Sequence, residues 1–190
     1  MRGLCTRTTG ITMKKNILIM SIVALYLFLT PAPLLAQNTV SASPAAQIEY
    51  AFPYPGLLPD HPLYVFKAMR DRVVSFFIKD SMKKASFDLL QSDKRVEASV
   101  MLAQKDKKHA SLVVSTFSKA DNYFEEAIRN IAKAKAEKKD VASLKGQVQT
   151  AAKKYKEVLQ GLAGKLSTEK QAYKILLDRA DTLIEQASKL

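Results

Sequence analysis

Pro62 is the last proline of the chain, and the residues after it are rich in Ala, Leu, Lys, Glu and Gln with few glycines. Proline inside a helix removes a hydrogen bond and collides with the preceding turn. A long stretch without it, built from strong helix formers, is free to be helical throughout. An all-α fold is therefore expected for residues 57–190, as antiparallel long-helix hairpins or a helical bundle preceded by a short N-terminal helix.

Apolar periodicity divides this region into helices. A residue before proline avoids helical angles, whereas proline suits the first helical turn. His61 is thus the expected N-cap and Pro62 the first helical residue, with Asp60 adding favourable negative charge at that end. Leu63, Phe66, Val73 and Phe77 recur at helical spacing to Ile78, with Met69 and Phe76 beside them. So apolar a face is expected to dock on the longer helices through Phe66, Val73 and Phe77. Arg70 falls on the same stripe, and two outcomes are open for it: pairing with a carboxylate of the long helices, or snorkelling to solvent.

Asp80 or Ser81 can cap a second helix, in which Met82, Ala85, Leu89, Val96 and Ala103 keep a seven-residue period. The same phase runs on through Ala110, Val113, Phe117, Ala120, Phe124, Ala127 and Ile131. The polar stretch Lys105-Asp106-Lys107-Lys108 is read as a hairpin turn. One coiled-coil-like helix over residues 81–137 is the alternative, and the unbroken phase fits it better than a hairpin. The charged residues 133–140 make a firmer break, after which Asp140 can cap a helix with Val141, Leu144, Val148, Ala151, Tyr155, Val158 and Leu162 in a new phase. Gly161 and Gly164 weaken its end. Thr168 with Gln171 then forms a capping-box pattern for a last helix carrying Tyr173, Leu176, Ala180, Leu183 and Ala187.

The chain ahead of the helices reads differently. Met13-Lys14-Lys15 precedes the uncharged apolar residues 17–29, and the segment ends in Leu35-Ala36-Gln37, the order of a secretory signal. Arg2, Cys5 and Arg7 add nothing a signal needs, so translation is expected to start at Met13. Cleavage is expected after Ala36 or Ala42. An uncleaved anchor is the alternative, because residues 16–36 are free of charge for the roughly 20 residues that a bilayer span needs. No cysteine comes after Cys5, so a lipid-modified cysteine is ruled out and an exported domain must rely on packing instead of disulfides. Residues 37–56, rich in Ser, Ala, Pro and Gln, read as a flexible linker. Its end interleaves Tyr50, Phe52 and Tyr54 with Pro53 and Pro55, and this arm is expected to pack on its own bundle.

The net charge is +12, and a basic surplus remains without the signal. Such a surplus suits anionic lipids, wall polymers or nucleic acid, but is also an ordinary solubility feature. The densest basic clusters are Lys105, Lys107 and Lys108, and Lys133, Lys135, Lys138 and Lys139. The second is the candidate for polyanion contact, although charge runs at helix ends are usually just solvated. Aromatic interleaving is absent there, so no specific nucleic acid is expected. A hydrolase needs a nucleophile beside a base and a metal site needs convergent ligands. With no cysteine after Cys5, only His61, a cap, and His109, a solvated turn residue, are on offer. Glu125 and Arg129 have the spacing of a surface ion pair. No catalytic residue, cofactor or metal is expected.

Leu58-Pro59-Asp60-His61-Pro62-Leu63-Tyr64 is followed by Lys67 and Arg70-Asp71-Arg72-Val73, and then by Lys84-Ala85, Leu89 and Arg95-Val96-Glu97-Ala98. In these blocks the chain resembles an uncharacterised bacterial family called domain of unknown function 5667, from Leu58 to the neighbourhood of Ile131. The positions that carry the motif are Leu58, Pro59, Asp60, Pro62, Leu63, Tyr64, Arg95, Glu97 and Ala98. His61 stands where a small capping residue is common, and the glycine often found between the second and third helices is missing. The resemblance implies an exported or membrane-tethered helical domain and supplies no activity, substrate or catalytic residue. The expected role is a non-enzymatic extracytoplasmic interaction or scaffold domain, secreted or tethered to the membrane, with an unknown protein partner. The alternative is a basic module for anionic envelope polymers or a membrane surface, with an enzyme third.

Overall fold

The computed structural model describes residues 48–105 and 109–190, all within the unit Ala46–Leu190. The signal or anchor, its start at Met13, linker residues 37–47 and the turn residues Asp106, Lys107 and Lys108 lie outside the described residues. Among the described residues five helices occur in order: α1 (Tyr64–Phe77), α2 (Ser81–Lys105), α3 (Ala110–Ala136), α4 (Ala142–Gly161) and α5 (Lys170–Ser188). There is no strand among them, as an alanine- and leucine-rich chain without proline predicts.

The two readings of residues 81–137 are resolved in favour of the hairpin. α2 and α3 make the most extensive contact of any helix pair. They run antiparallel: Ser81 Oγ donates to Glu137 Oε2 at 2.6 Å, Asn130 Nδ2 donates to Asp88 Oδ2 at 3.0 Å, and the Arg95 guanidinium lies 4.6 Å from the Tyr123 ring centre. Each advance of two turns along α2 is matched by two turns back along α3. The continuous phase has a physical reading. Ala85, Leu89, Val96 and Ala103 on one arm and Ala110, Val113, Phe117, Ala120, Phe124, Ala127 and Ile131 on the other are all buried. A straight helix would leave this stripe without a partner, whereas folding back covers much of it with itself.

α4 and α5 form a second antiparallel pair, tied by Lys156 to Asp181 and by Gln149 Nε2 to the Ala187 carbonyl at 3.0 Å. α5 lies along α3, and α4 touches both arms of the first hairpin. Two apolar layers result. One gathers Leu89, Phe124, Ile131, Leu144, Val148 and Leu183; the other gathers Val96, Leu102, Phe117, Leu159, Leu166 and Leu176. Tyr155 belongs to the second layer and stands edge-on to Phe117 with ring centres 5.4 Å apart. Its hydroxyl donates to Asp121 Oδ1 at 2.5 Å, and Arg179 Nε lies 3.1 Å from Asp121 Oδ2. A polar tie thereby runs from the buried Tyr155 of α4 and Asp121 of α3 to Arg179 of α5, which is half-buried.

Local signals fare unevenly at helix ends. Asp80 Oδ1 accepts the Lys83 N–H at 2.9 Å, and Asp140 Oδ1 accepts the Ala142 N–H at 3.0 Å, so both aspartates cap as expected. The first helix begins two residues later than expected, at Tyr64 with Leu63 as N-cap. His61 still contributes, because its Nδ1 accepts the Leu63 N–H at 3.1 Å. The Thr168–Gln171 capping box does not form: α5 starts at Lys170, its N-cap is Glu169, and no side chain bonds the free N–H groups.

The expectation for α1 is overturned. Phe66, Val73 and Phe77 are 65%, 51% and 71% exposed, and Leu63, Met69 and Phe76 are exposed with them. The side turned to the bundle carries Tyr64, Lys67, Ala68, Asp71 and Ser75, of which only Asp71 is fully buried. The reason lies in what α2 offers. Arg95 Nη1 donates to Tyr64 Oη at 3.0 Å, and Lys84 Nζ donates to the Ser75 carbonyl at 3.2 Å, so long polar side chains receive α1 where an apolar groove would be needed. Of the two outcomes open for Arg70 the structure shows the second: its side chain is largely exposed to solvent, and its carboxylate partner, at 2.8 Å, is its own neighbour Asp71 and not a residue of the long helices.

These two environments predict opposite responses to loss of an aromatic ring. Phe117→Ala empties a fully buried site and should cost about 3–5 kcal/mol. Phe66→Ser removes an exposed ring and should stay within about 0.5 kcal/mol of the parent. Urea denaturation of the two variants measures the difference. A loss of several kcal/mol in Phe66→Ser would place that ring in the core.

Candidate functional site

The motif blocks singled out in the sequence, separated by the whole of α1, meet in space. Asp60 Oδ2 accepts from Lys105 Nζ at 2.5 Å, and the Tyr64 hydroxyl accepts from Arg95. Leu58 packs on the second apolar layer and Ala98 is buried, while Pro62 and Leu63 are exposed and Pro59 is half-buried. Glu97 is half-buried, and that burial pushes its carboxyl above the usual range. The motif therefore works as a fastening: it fixes the approach to α1 and the helix itself against α2.

The arm before α1 adds to that fastening, as expected of Tyr50 and Phe52. Tyr50 packs on the first layer and donates its hydroxyl to Asp93 Oδ2 at 2.6 Å, while Phe52 packs on the second layer and Tyr54 is exposed. Lys67 Nζ donates to the Pro55 carbonyl at 2.5 Å and the Leu57 carbonyl at 3.2 Å. α1 is thus held at its start, along its inner side and at Ser75.

Two features of this arrangement have chemical meaning. The first is the outer face of α1, where Phe66, Val73, Phe76 and Phe77 stand exposed, with Val65 and Met69 exposed at its margin. The second is a cavity of about 540 Å³ between α1 and the hairpin, whose lining includes Tyr64, Arg72, Arg95, Lys119 and Tyr123. Arg95 is 7% exposed, and its Nε has no hydrogen-bond partner. Among the described residues neither Arg72, Arg95 nor Lys119 forms an ion pair. A buried guanidinium is usually matched by a carboxylate. Here the Tyr123 ring face and two tyrosine hydroxyls take that place.

The lysines expected to contact polyanions are differently occupied. Lys139 Nζ bridges Asp80 Oδ2 at 2.6 Å and Glu137 Oε2 at 2.9 Å, which raises its own pKa and lowers that of Asp80; Glu137 is lowered first by the Ser81 hydroxyl and then by Lys139. Lys135 Nζ donates to the Leu190 carbonyl. Lys133 is exposed, and Lys138 takes a left-handed backbone angle, φ 60°, where the chain turns out of α3. Two of the four therefore have partners within the chain. The expected Glu125–Arg129 pair is replaced: Arg129 pairs with Glu126 at 2.6 Å and Glu125 with Arg179 at 3.0 Å. Among the described residues no group of three or more His, Cys, Asp or Glu could hold a metal ion.

Sequence reasoning missed Arg72, Lys119 and Tyr123 as cavity residues. Only Arg95 carried a usable signal, as an arginine beside Val96 in the apolar stripe. Tyr123 and Lys119 sit on turns of α3 that look like ordinary solvated surface.

With that geometry in place, comparison with known proteins gives one match. The model of the family described as Domain of unknown function (DUF5667) matches residues 56–169, and the chain belongs to that family. The match runs from the approach to α1 through α4, further than the motif blocks alone, and stops short of α5. No curated protein and no solved structure matches the chain.

Three buried carboxylates make stability depend on pH. Desolvation pushes Asp88, Asp93 and Asp121 up to about 6 each, against opposing contacts from Lys84 and Asn130, from Tyr50, and from Tyr155 and Arg179 respectively. Each binds its proton more tightly folded than unfolded, where the value is about 3.9. Stability is therefore favoured at low pH and declines as pH rises through about 6, because the folded protein must then carry buried charge. The melting temperature should rise on going from pH 7 to pH 5, and Asp93→Asn, which keeps an acceptor for Tyr50, should make the rise smaller. A melting temperature that falls over the same interval would show these groups to be held ionised.

Proposed function

We propose that this member of the family is a non-catalytic helical contact module that acts outside the cytoplasmic membrane. The observation that carries the reading is the outer face of α1. A protein that leaves three phenylalanines, a methionine and three valines exposed on one short helix forgoes their burial, at roughly 1.5–3 kcal/mol per large apolar side chain. Such a patch marks a contact surface. The polar fastening beneath it supports the same reading, because it holds the helix with that face outward. Export is supported by the signal-like order of residues 13–42.

A second reading, a basic module for anionic envelope polymers or lipids, draws its support from the cavity with Arg72, Arg95 and Lys119. It separates from the first by the residues it uses: binding through the cavity cations falls with their loss and with salt, whereas contact through the outer face of α1 is lost with its phenylalanines.

The contact reading predicts that Phe76→Ser combined with Phe77→Ser keeps the parental melting temperature and abolishes association with the envelope fraction in the native cell. Protease added to intact cells stripped of their outer layers should degrade the domain. Unaltered association of the double variant, or full protection from protease, would defeat the reading. Wall-polymer binding measured across a salt series tests the second one. Arg72→Gln with Lys119→Gln should flatten the salt slope more than Gln at Lys133, Lys135, Lys138 and Lys139.

A further inference from the structure

We infer that the occupant of the α1 outer face is the surface of a bilayer containing anionic lipid, an inference that rests on the contact reading and names its partner. Successive helical residues are about 100° apart, so Phe76, Met69, Val73, Phe66 and Phe77 fill one continuous outward arc. Arg72 borders that arc on one side and Arg70 on the other, and Lys79, just beyond the end of the helix, sits over the Phe76 ring, 5.1 Å from its centre. Val65, Leu63 and Val74 stand among these cations at the edges. The inner side is pinned by Tyr64, Lys67 and Ser75, so the apolar arc has no route to the core.

The charges are one-sided. Asp71 is the only acid between Tyr64 and Lys79, and it is 4% exposed, on the inner side, and bound by Arg70. Every exposed charge of this segment is therefore positive. An apolar ridge bordered by cations matches the bilayer boundary, where phenyl and aliphatic groups enter the upper acyl region and guanidinium and ammonium groups meet lipid phosphates. Behind the Arg72 edge, Lys119 and Arg95 continue the positive lining into the cavity. Among the described residues no helix is long and apolar enough to cross a membrane, so α1 lies on the surface in this arrangement.

A second copy of the chain suits the face less well. Two such ridges set together would bring Arg70, Arg72 and Lys79 against the same cations. The helix has 14 residues, so it is about 21 Å long and offers a few hundred Å², short of the roughly 800 Å² per partner of a stable interface. A bilayer also accepts a convex ridge without a preformed groove. The sequence before the described residues fits the same partner. The charge-free run of residues 16–36, where it stays uncleaved as an anchor, would hold the chain at the same membrane.

The test uses the full chain with Cys5→Ser and a single Val73→Cys or Gln160→Cys, labelled with an environment-sensitive fluorophore. The protein is reconstituted into vesicles of phosphatidylcholine alone or mixed with phosphatidylglycerol, each carrying a lipid-borne quencher. Gln160 is exposed on α4 and serves as the reference. On the mixed vesicles, quenching at position 73 should exceed that at 160 by roughly threefold or more. It should drop on phosphatidylcholine alone and on combining Arg70→Gln, Arg72→Gln and Lys79→Gln, with the melt unchanged. Equal quenching at the two positions, or quenching at 73 that is the same on both vesicle types, would overturn the inference. A photo-crosslinker at Phe76 in the native cell separates the two levels. Lipid adducts support the bilayer. Protein adducts overturn it and leave the contact module standing, and no adduct of either kind removes both.

Discussion

Small residues on the seam between α2 and α3 set the scale for everything else in the fold. Ala85, Ala103, Ala110, Ala120 and Ala127 are all buried there, and residues of that size let helix axes approach toward the short end of the usual 8–10 Å. Leu89, Phe117, Phe124 and Ile131 then fill the space toward α4 and α5. With bulky residues throughout, the arms would part and the second hairpin would lose its platform. The close pairing also exposes a long flank of α2, and that flank is where α1 is held.

Two polar groupings on this frame do different work. Asp121 and Tyr155 meet in the interior and the half-buried Arg179 reaches Asp121 from α5, so a shift of register would strand a buried carboxylate and a phenol. The cost of that stranding selects one alignment of the second hairpin against the first. Arg95 has no carboxylate among its partners and rests on Tyr123 and Tyr64 instead. Because the tyrosine hydroxyl that receives it belongs to α1, the buried cation sets the rotation of that helix. The family match covers Arg95 and both its partners but not α5, so the α1 fastening lies within the shared domain and the Arg179 contact lies beyond it.

The inverted α1 is a product of this rotation. An amphipathic helix beside a bundle normally turns its apolar stripe inward. Here Lys84 and Arg95 claim the inner side for Ser75 and Tyr64, and the phenylalanines are left outside. The arm at Tyr50 and Phe52 occupies apolar surface of both layers that a docked helix could have covered. The contact surface is thus a consequence of polar bonds made on the opposite side of the same helix.

The seven-residue phase through α2 and α3, the new phase in α4, and the caps at Asp80 and Asp140 were all legible in the chain, since each depends on neighbours within a few turns. The seam residues named from that phase are found buried, apart from Met82, which is half-buried at the start of α2. What the phase could not decide was whether residues 81–137 fold back, because a straight helix and a hairpin present the same stripe. Nor could it decide the fate of Leu63, Phe66, Met69, Val73 and Phe77. Periodicity states which residues share a face, and by itself it determined an all-helical chain with five apolar stripes. Which face is covered depends on the chemistry of whatever stands opposite, and only the tertiary structure, by setting Arg95 and Lys84 against α1, turned one of those stripes outward.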